Sequence, residues 1–127
     1  MKRKNIVVIE DDQAILDIIS YILLSEGYDV TAAHKWDPVE LVADYQPDLV
    51  LVDEWINAAA GSLLCHQIKA VHTLAHVPVI ILSTSADIAA IALSCKADGF
   101  VRKPFDIDEL LAEIKRCQDA EKIVTGR

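Results

Sequence analysis

Ile6-Val7-Val8-Ile9 runs straight into Glu10-Asp11-Asp12, and the join between these two stretches decides the fold. Four consecutive β-branched residues with no polar alternation describe a strand covered on both faces. Leu49-Val50-Leu51-Val52 and Val77-Pro78-Val79-Ile80-Ile81-Leu82 have the same character. Residues 28–33 and Phe100-Val101 are shorter or more polar, which predicts edge strands. Between these runs the spacing turns helical. In 13–26 the residues Ile15, Ile18, Ile19, Ile22 and Leu23 share one face, and in 106–120 Ile107, Leu110, Leu111, Ile114 and Cys117 do the same. Strands alternating with helices of about ten to fifteen residues make βαβ units. The expected fold is therefore α/β: a single five-stranded, doubly wound parallel sheet with five helices.

Capping signals set the expected boundaries. Asp12 or Gln13 caps the first helix, Asp37 the second with Pro38 at its first position, and Ser85 the fourth. Asp106 followed by Glu109 opens the last helix as a capping box, and Gly27 and Gly99 fall where the first and fourth helices should stop. No repeat or internal linker interrupts the pattern. We expect one domain over 1–127, with 118–127 a polar tail or the start of a linker.

The chain has 127 residues, 53% of them hydrophobic, enough to bury a core without staples. Its longest apolar runs are far short of the ~20 residues a membrane helix needs. The basic N-terminus leads into a strand, not a signal peptide. Three cysteines without CxxC spacing suit a reducing, cytoplasmic setting. The net charge of −8 argues against nucleic acid and anionic membranes as partners. That charge is unevenly spread. Residues 5–68 hold twelve acids and one base, whereas 69–127 hold eight of each.

Placed on an open parallel sheet, the polar residues converge, because ligands bind beyond the carboxyl ends of the strands. The first strand ends in Glu10-Asp11-Asp12, the third in Asp53-Glu54, the fourth in Ser83-Thr84-Ser85 and the fifth in Arg102-Lys103. Carboxylates from neighbouring strands repel unless a cation sits between them, and a hard divalent ion, Mg²⁺ above all, suits oxygen ligands. Lys103 supplies a point charge for an anion and Ser83 a hydroxyl donor. Other chemistries lack their parts. The serine run has no paired histidine or nucleophile elbow, and four glycines make no phosphate-binding loop. The Asp-x-Asp pair that a haloacid-dehalogenase-type phosphatase carries after its first strand is missing. His34, His66, His72 and His76 share no metal spacing.

In this order and at these spacings, IVVIEDD (6–12), PDLVLVD (47–53) with Gly61 eight residues later, VPVIILS (77–83) and GFVRKPF (99–105) resemble the receiver domain of two-component response regulators. The resemblance covers nearly the whole chain and implies a flavodoxin-like strand order 2-1-3-4-5. It implies that Asp53 is the phosphoacceptor, that Asp11 and Asp53 ligate Mg²⁺ directly and Glu10 through water, and that Trp55 lends its backbone carbonyl. It further implies that Ser83 and Lys103 contact the phosphoryl group, that Lys103-Pro104 is cis, and that Ser83 and Phe100 form the switch. The partner it implies is a sensor histidine kinase or phosphotransfer protein, with a homodimer possible through the helix 4–strand 5–helix 5 face. Mg²⁺-dependent autophosphorylation from a small phosphodonor and autodephosphorylation would follow. The chain departs from the family pattern at Ile56-Asn57, where Met-Pro is usual, and at Thr84, where a smaller residue is usual. The alternative is a pseudo-receiver, an interaction module that keeps the fold and signals without phosphorylation.

Overall fold

Val7 and Ile9 face one side of the sheet, Ile6 and Val8 the other, and both sides are covered. The computed structural model describes residues 3–34, 37–53 and 58–125, with side chains for 3–34, 37–53 and 63–119. Its strands are β1 (Asn5–Ile9), β2 (Asp29–Ala33), β3 (Leu49–Asp53), β4 (Val79–Ser83) and β5 (Gly99–Arg102). Its helices are α1 (Gln13–Ser25), α2 (Val39–Asp44), α3 (Ala58–Ala70), α4 (Ile88–Ser94) and α5 (Ile107–Thr125), with a short 3-10 turn at His72–Leu74. All strands are parallel, in the order β2-β1-β3-β4-β5. The two weaker runs are the two edge strands.

Alternation along each strand divides the core. Val7, Val50, Val52, Val79 and Ile81 pack with Val42, Leu64, Cys65 and Ile68 of α2 and α3. Ile6, Val8, Leu49, Leu51, Ile80 and Leu82 pack with Leu16, Ile19 and Leu23 of α1 and Leu110, Ile114 and Cys117 of α5. Every residue of β3 and β4 is buried, which is why their sequences read as apolar runs up to the closing Asp53 and Ser83. Each large aliphatic so placed is worth about 1.5–3 kcal/mol relative to an exposed one.

The local boundary signals hold where cap and backbone lie within one turn. Asp12 Oδ1 accepts from the Ala14 and Ile15 amides at 2.9 and 3.2 Å, and Asp106 Oδ1 from the Glu109 amide at 2.8 Å. Gly27, at φ 93°, closes α1: its amide reaches Leu24 O and the Tyr28 amide reaches Leu23 O, both at 3.1 Å.

Four boundaries differ from expectation. Asp37 spends its carboxylate on the His34 amide at 2.9 Å, closing the turn before α2, so Pro38 itself takes the cap position. Ser85 Oγ accepts from the Asp87 amide at 3.1 Å, within the turn that precedes α4, and Asp87 is the cap residue. Gly99 does not stop α4, which ends at Ser94, with Lys96 at φ 65° turning the chain. The last helix also continues to Thr125, past the expected end at 120.

Gly99 opens β5 instead, and its reason is steric. A Cβ there would lie 2.3 Å from Glu113 Oε2 and 2.9 Å from Cys117 Sγ, both on α5. Gly99→Ala is therefore expected to cost about 1–3 kcal/mol through overpacking, read as a lower denaturation midpoint at unchanged slope.

Candidate functional site

The registers carry four polar groups to one edge. Ile9 pairs with Val52, Asp53 with Leu82, and Ser83 with Arg102, so Glu10, Asp53, Ser83 and Lys103 all stand at the carboxyl ends of neighbouring strands. Glu10, Asp53 and Ser83 are 1%, 3% and 4% exposed and form the whole set of fully buried polar residues among the described ones. Asp11 beside them is half-buried.

Polar contacts hold this edge together. Lys103 Nζ forms an ion pair with Asp53 Oδ1, both side chains nearly withdrawn from solvent. The Lys103 amide donates to Ser83 O at 2.8 Å, which seats the lysine beside β4, and the Lys103-Pro104 bond is cis. Ser83 Oγ accepts from the Ser85 amide at 3.0 Å. Glu10 Oε1 accepts from the Asp12 amide at 2.8 Å, while Glu10 Oε2 is buried with no hydrogen-bond donor among the described residues. Burial, and then the neighbouring Asp53 carboxylate, push the Glu10 carboxyl up to about 8, against the opposing pull of the Asp12 amide and Lys103. Two adjacent buried carboxyls share the single Lys103 ammonium, which leaves them short of positive charge when both are ionised.

A hard cation fits this lack. Asp11 Oδ1 and Asp53 Oδ2 are buried oxygens at the same edge as Glu10 Oε2. Among the described residues no three acidic, histidine or cysteine side chains close into a finished metal cage. Mg²⁺ does not need one, since it keeps several waters. Trp55, whose carbonyl the sequence reading assigned to the metal, lies outside the described residues, as do Glu54, Ile56 and Asn57. The four histidines are exposed, and the three cysteines are buried, reduced and packed in the core.

Phe100 lies half-buried on the edge strand β5. Its amide donates to Glu113 Oε2 of α5 at 3.1 Å, and the Arg102 guanidinium carbon lies 5.9 Å from its ring centroid. Arg116 holds Glu113 through two bonds of 2.8 and 2.9 Å and reaches Asp98 O at 2.9 Å. These partners of Phe100 went unread in the sequence; their one trace is the missing side chain at Gly99.

Arg116 first, and then the Phe100 amide, hold the Glu113 carboxyl below its usual range despite partial burial. A depressed acid adds stability that is present above the unfolded glutamate range and lost as pH falls through the folded value. Glu113→Gln is thus expected to show a flatter loss of stability below about pH 4.5 than the wild type, measured by denaturation across pH.

The family model for the response regulator receiver domain matches residues 6–115. The chain belongs to this family. Solved receiver domains agree in shape. One from Methanospirillum hungatei is 27% identical, with a TM-score of 0.83 over 95% of this chain and 98% of that one. A receiver domain protein from Clostridium thermocellum is 25% identical, with a TM-score of 0.82 over 96% and 99%. The signal receiver domain of a histidine kinase from Syntrophus aciditrophicus is 26% identical, with a TM-score of 0.81 over 92% and 91%. The receiver fold and the strand order 2-1-3-4-5 stand as expected, and the family's role is phosphorelay signal transduction. Among the described residues no helix of this receiver domain is long and apolar enough to cross a membrane.

Proposed function

We propose that this receiver domain accepts a phosphoryl group on Asp53 from a histidine kinase or phosphotransfer protein. The observation that carries the reading is the buried Lys103–Asp53 ion pair beside the donor-less Glu10 oxygen. An Asp53 carboxylate oxygen attacks the phosphorus in line; the new P–O bond forms as the bond to the donor's histidine nitrogen breaks, and an acyl phosphate results. Lys103 shifts its ammonium from the carboxylate to the incoming phosphoryl oxygens, and Ser83 donates its hydroxyl to them. Asp11 and Asp53 would hold Mg²⁺ directly, Glu10 through water, and Trp55 through its carbonyl. When bound, Mg²⁺ neutralises charge on the transferring group. Water attack on the acyl phosphate returns the domain to rest.

The signal leaves through α4, β5 and α5. Ser83 is drawn toward the phosphoryl group, the Phe100 ring turns inward, and the face carrying the exposed Leu93 is remodelled, a surface available to a target or a second copy. Incubation with acetyl phosphate and Mg²⁺ tests this: one phosphoryl adduct by intact mass is expected. Mg²⁺ binding without an adduct would establish the pseudo-receiver alternative instead.

A further inference from the structure

We propose that Arg102 is a positioning residue, a strap that holds the Phe100 ring in its half-buried position by tying it to the loop behind Ser83; the inference rests on the phosphoacceptor reading above. Arg102 Nη1 donates to Ala86 O at 3.3 Å, and the same guanidinium lies over the Phe100 ring at 5.9 Å. Ala86 stands three residues beyond Ser83, in a loop folded back onto it. The Ser85 amide donates to Ser83 Oγ at 3.0 Å, and the Asp87 amide to Ser85 Oγ at 3.1 Å. One planar cation therefore bridges the loop that follows the phosphoryl-contacting hydroxyl and the aromatic ring of the next strand. A lysine has no planar face to stack while its nitrogen donates sideways.

The backbone beneath the ring is fixed. Glu113 takes the Phe100 amide, Arg116 holds Glu113, and Gly99 packs against both. With the strand anchored, the ring's own rotation is the motion left. Displacement of Ser83 toward an anion on Asp53 pulls on residues 84–86 and carries the Ala86 carbonyl away from Arg102. The guanidinium then loses its anchor and its hold on the ring. Before phosphorylation the strap favours the half-buried ring, so its removal shifts the ring's equilibrium inward without any phosphodonor. An exposed cation–π contact changes such a ratio by about two- to five-fold.

The chain has two phenylalanines, Phe100 and Phe105. Labelling with 3-fluorophenylalanine thus gives two ¹⁹F signals, and the H₂O/D₂O isotope shift of each reports ring exposure. Wild type, Arg102→Ala and Arg102→Met are compared first without phosphodonor. Arg102 is exposed, so neither substitution opens the core. The Phe100 isotope shift is expected to fall in both variants, with Phe105 as the reference. If it rises or stays, Arg102 merely covers the ring and the proposal is overturned. Acetyl phosphate and Mg²⁺ are then added. Wild type is expected to lose Phe100 exposure on phosphorylation, and the variants to lose less; an undiminished change in the variants also overturns the strap. Absence of an adduct in wild type counts against the phosphoacceptor reading alone, because the first comparison uses unphosphorylated protein.

Discussion

Asp53→Asn gives no phosphoryl adduct under conditions in which the wild type gains one. The substitution changes one atom type at nearly constant volume, so core packing around β3 is preserved. It removes the nucleophile. An amide oxygen is a far weaker nucleophile than a carboxylate, and its phosphoryl derivative would lack the acyl-phosphate chemistry. Asp53 is the final residue of a fully buried strand and 3% exposed, so its carboxylate cannot be replaced by a surface acid swinging in. One oxygen of each of two nearby acids is committed as well. Glu10 is bonded to the Asp12 amide and Asp12 to the start of α1. The expected result is complete loss, read by intact mass after acetyl phosphate and Mg²⁺, with circular dichroism to confirm an unchanged fold. An adduct on the variant at the wild-type rate would move the phosphoacceptor to another acid. The same incubation without Mg²⁺ is expected to lower adduct formation in the wild type, since Lys103 would then be the main cation facing the incoming charge.

What the sequence disclosed follows physical range. Strands were legible because burial on both faces disfavours polar residues through a whole run, as in residues 79–82 of β4. Asp12 and Asp106 were legible because a cap bonds within three residues of itself. Gly99 was misread because its partner Glu113 lies fourteen positions away on α5, and a helix-stop glycine and a contact glycine look identical in sequence. Asp37 and Ser85 were misread because turn and cap use the same side chains, and the turn won. At the site, strand ends in chain order were enough to gather Glu10, Asp53, Ser83 and Lys103. The raised Glu10 carboxyl, the Glu113 bond to Phe100 and the Arg102 bridge depend on side-chain directions that no spacing encodes.

Lys103→Ala separates the two jobs that the buried ammonium does. The first is structural. Lys103 pairs with Asp53 where Glu10 is also buried, and its removal leaves adjacent acids without their countercharge. Without Mg²⁺ the variant is expected to lose about 3–5 kcal/mol of stability, the usual cost of breaking a buried pair from one side. The second job is chemical. A preorganised cation facing the transferring oxygens is worth about 10²–10³ in rate, so adduct formation from acetyl phosphate is expected to slow by that factor. Mg²⁺ binding moves the other way. A fixed positive charge on Asp53 competes with a divalent ion for the same carboxylate, so affinity is expected to hold or rise, measured by calorimetric titration. Saturating Mg²⁺ then restores part of the lost stability, because a ligand that binds only the folded state stabilises it. Loss of stability without loss of rate would confine Lys103 to the fold. Tighter Mg²⁺ together with slow phosphorylation is the combination that assigns it to phosphoryl transfer, because a general weakening of the site would lower both.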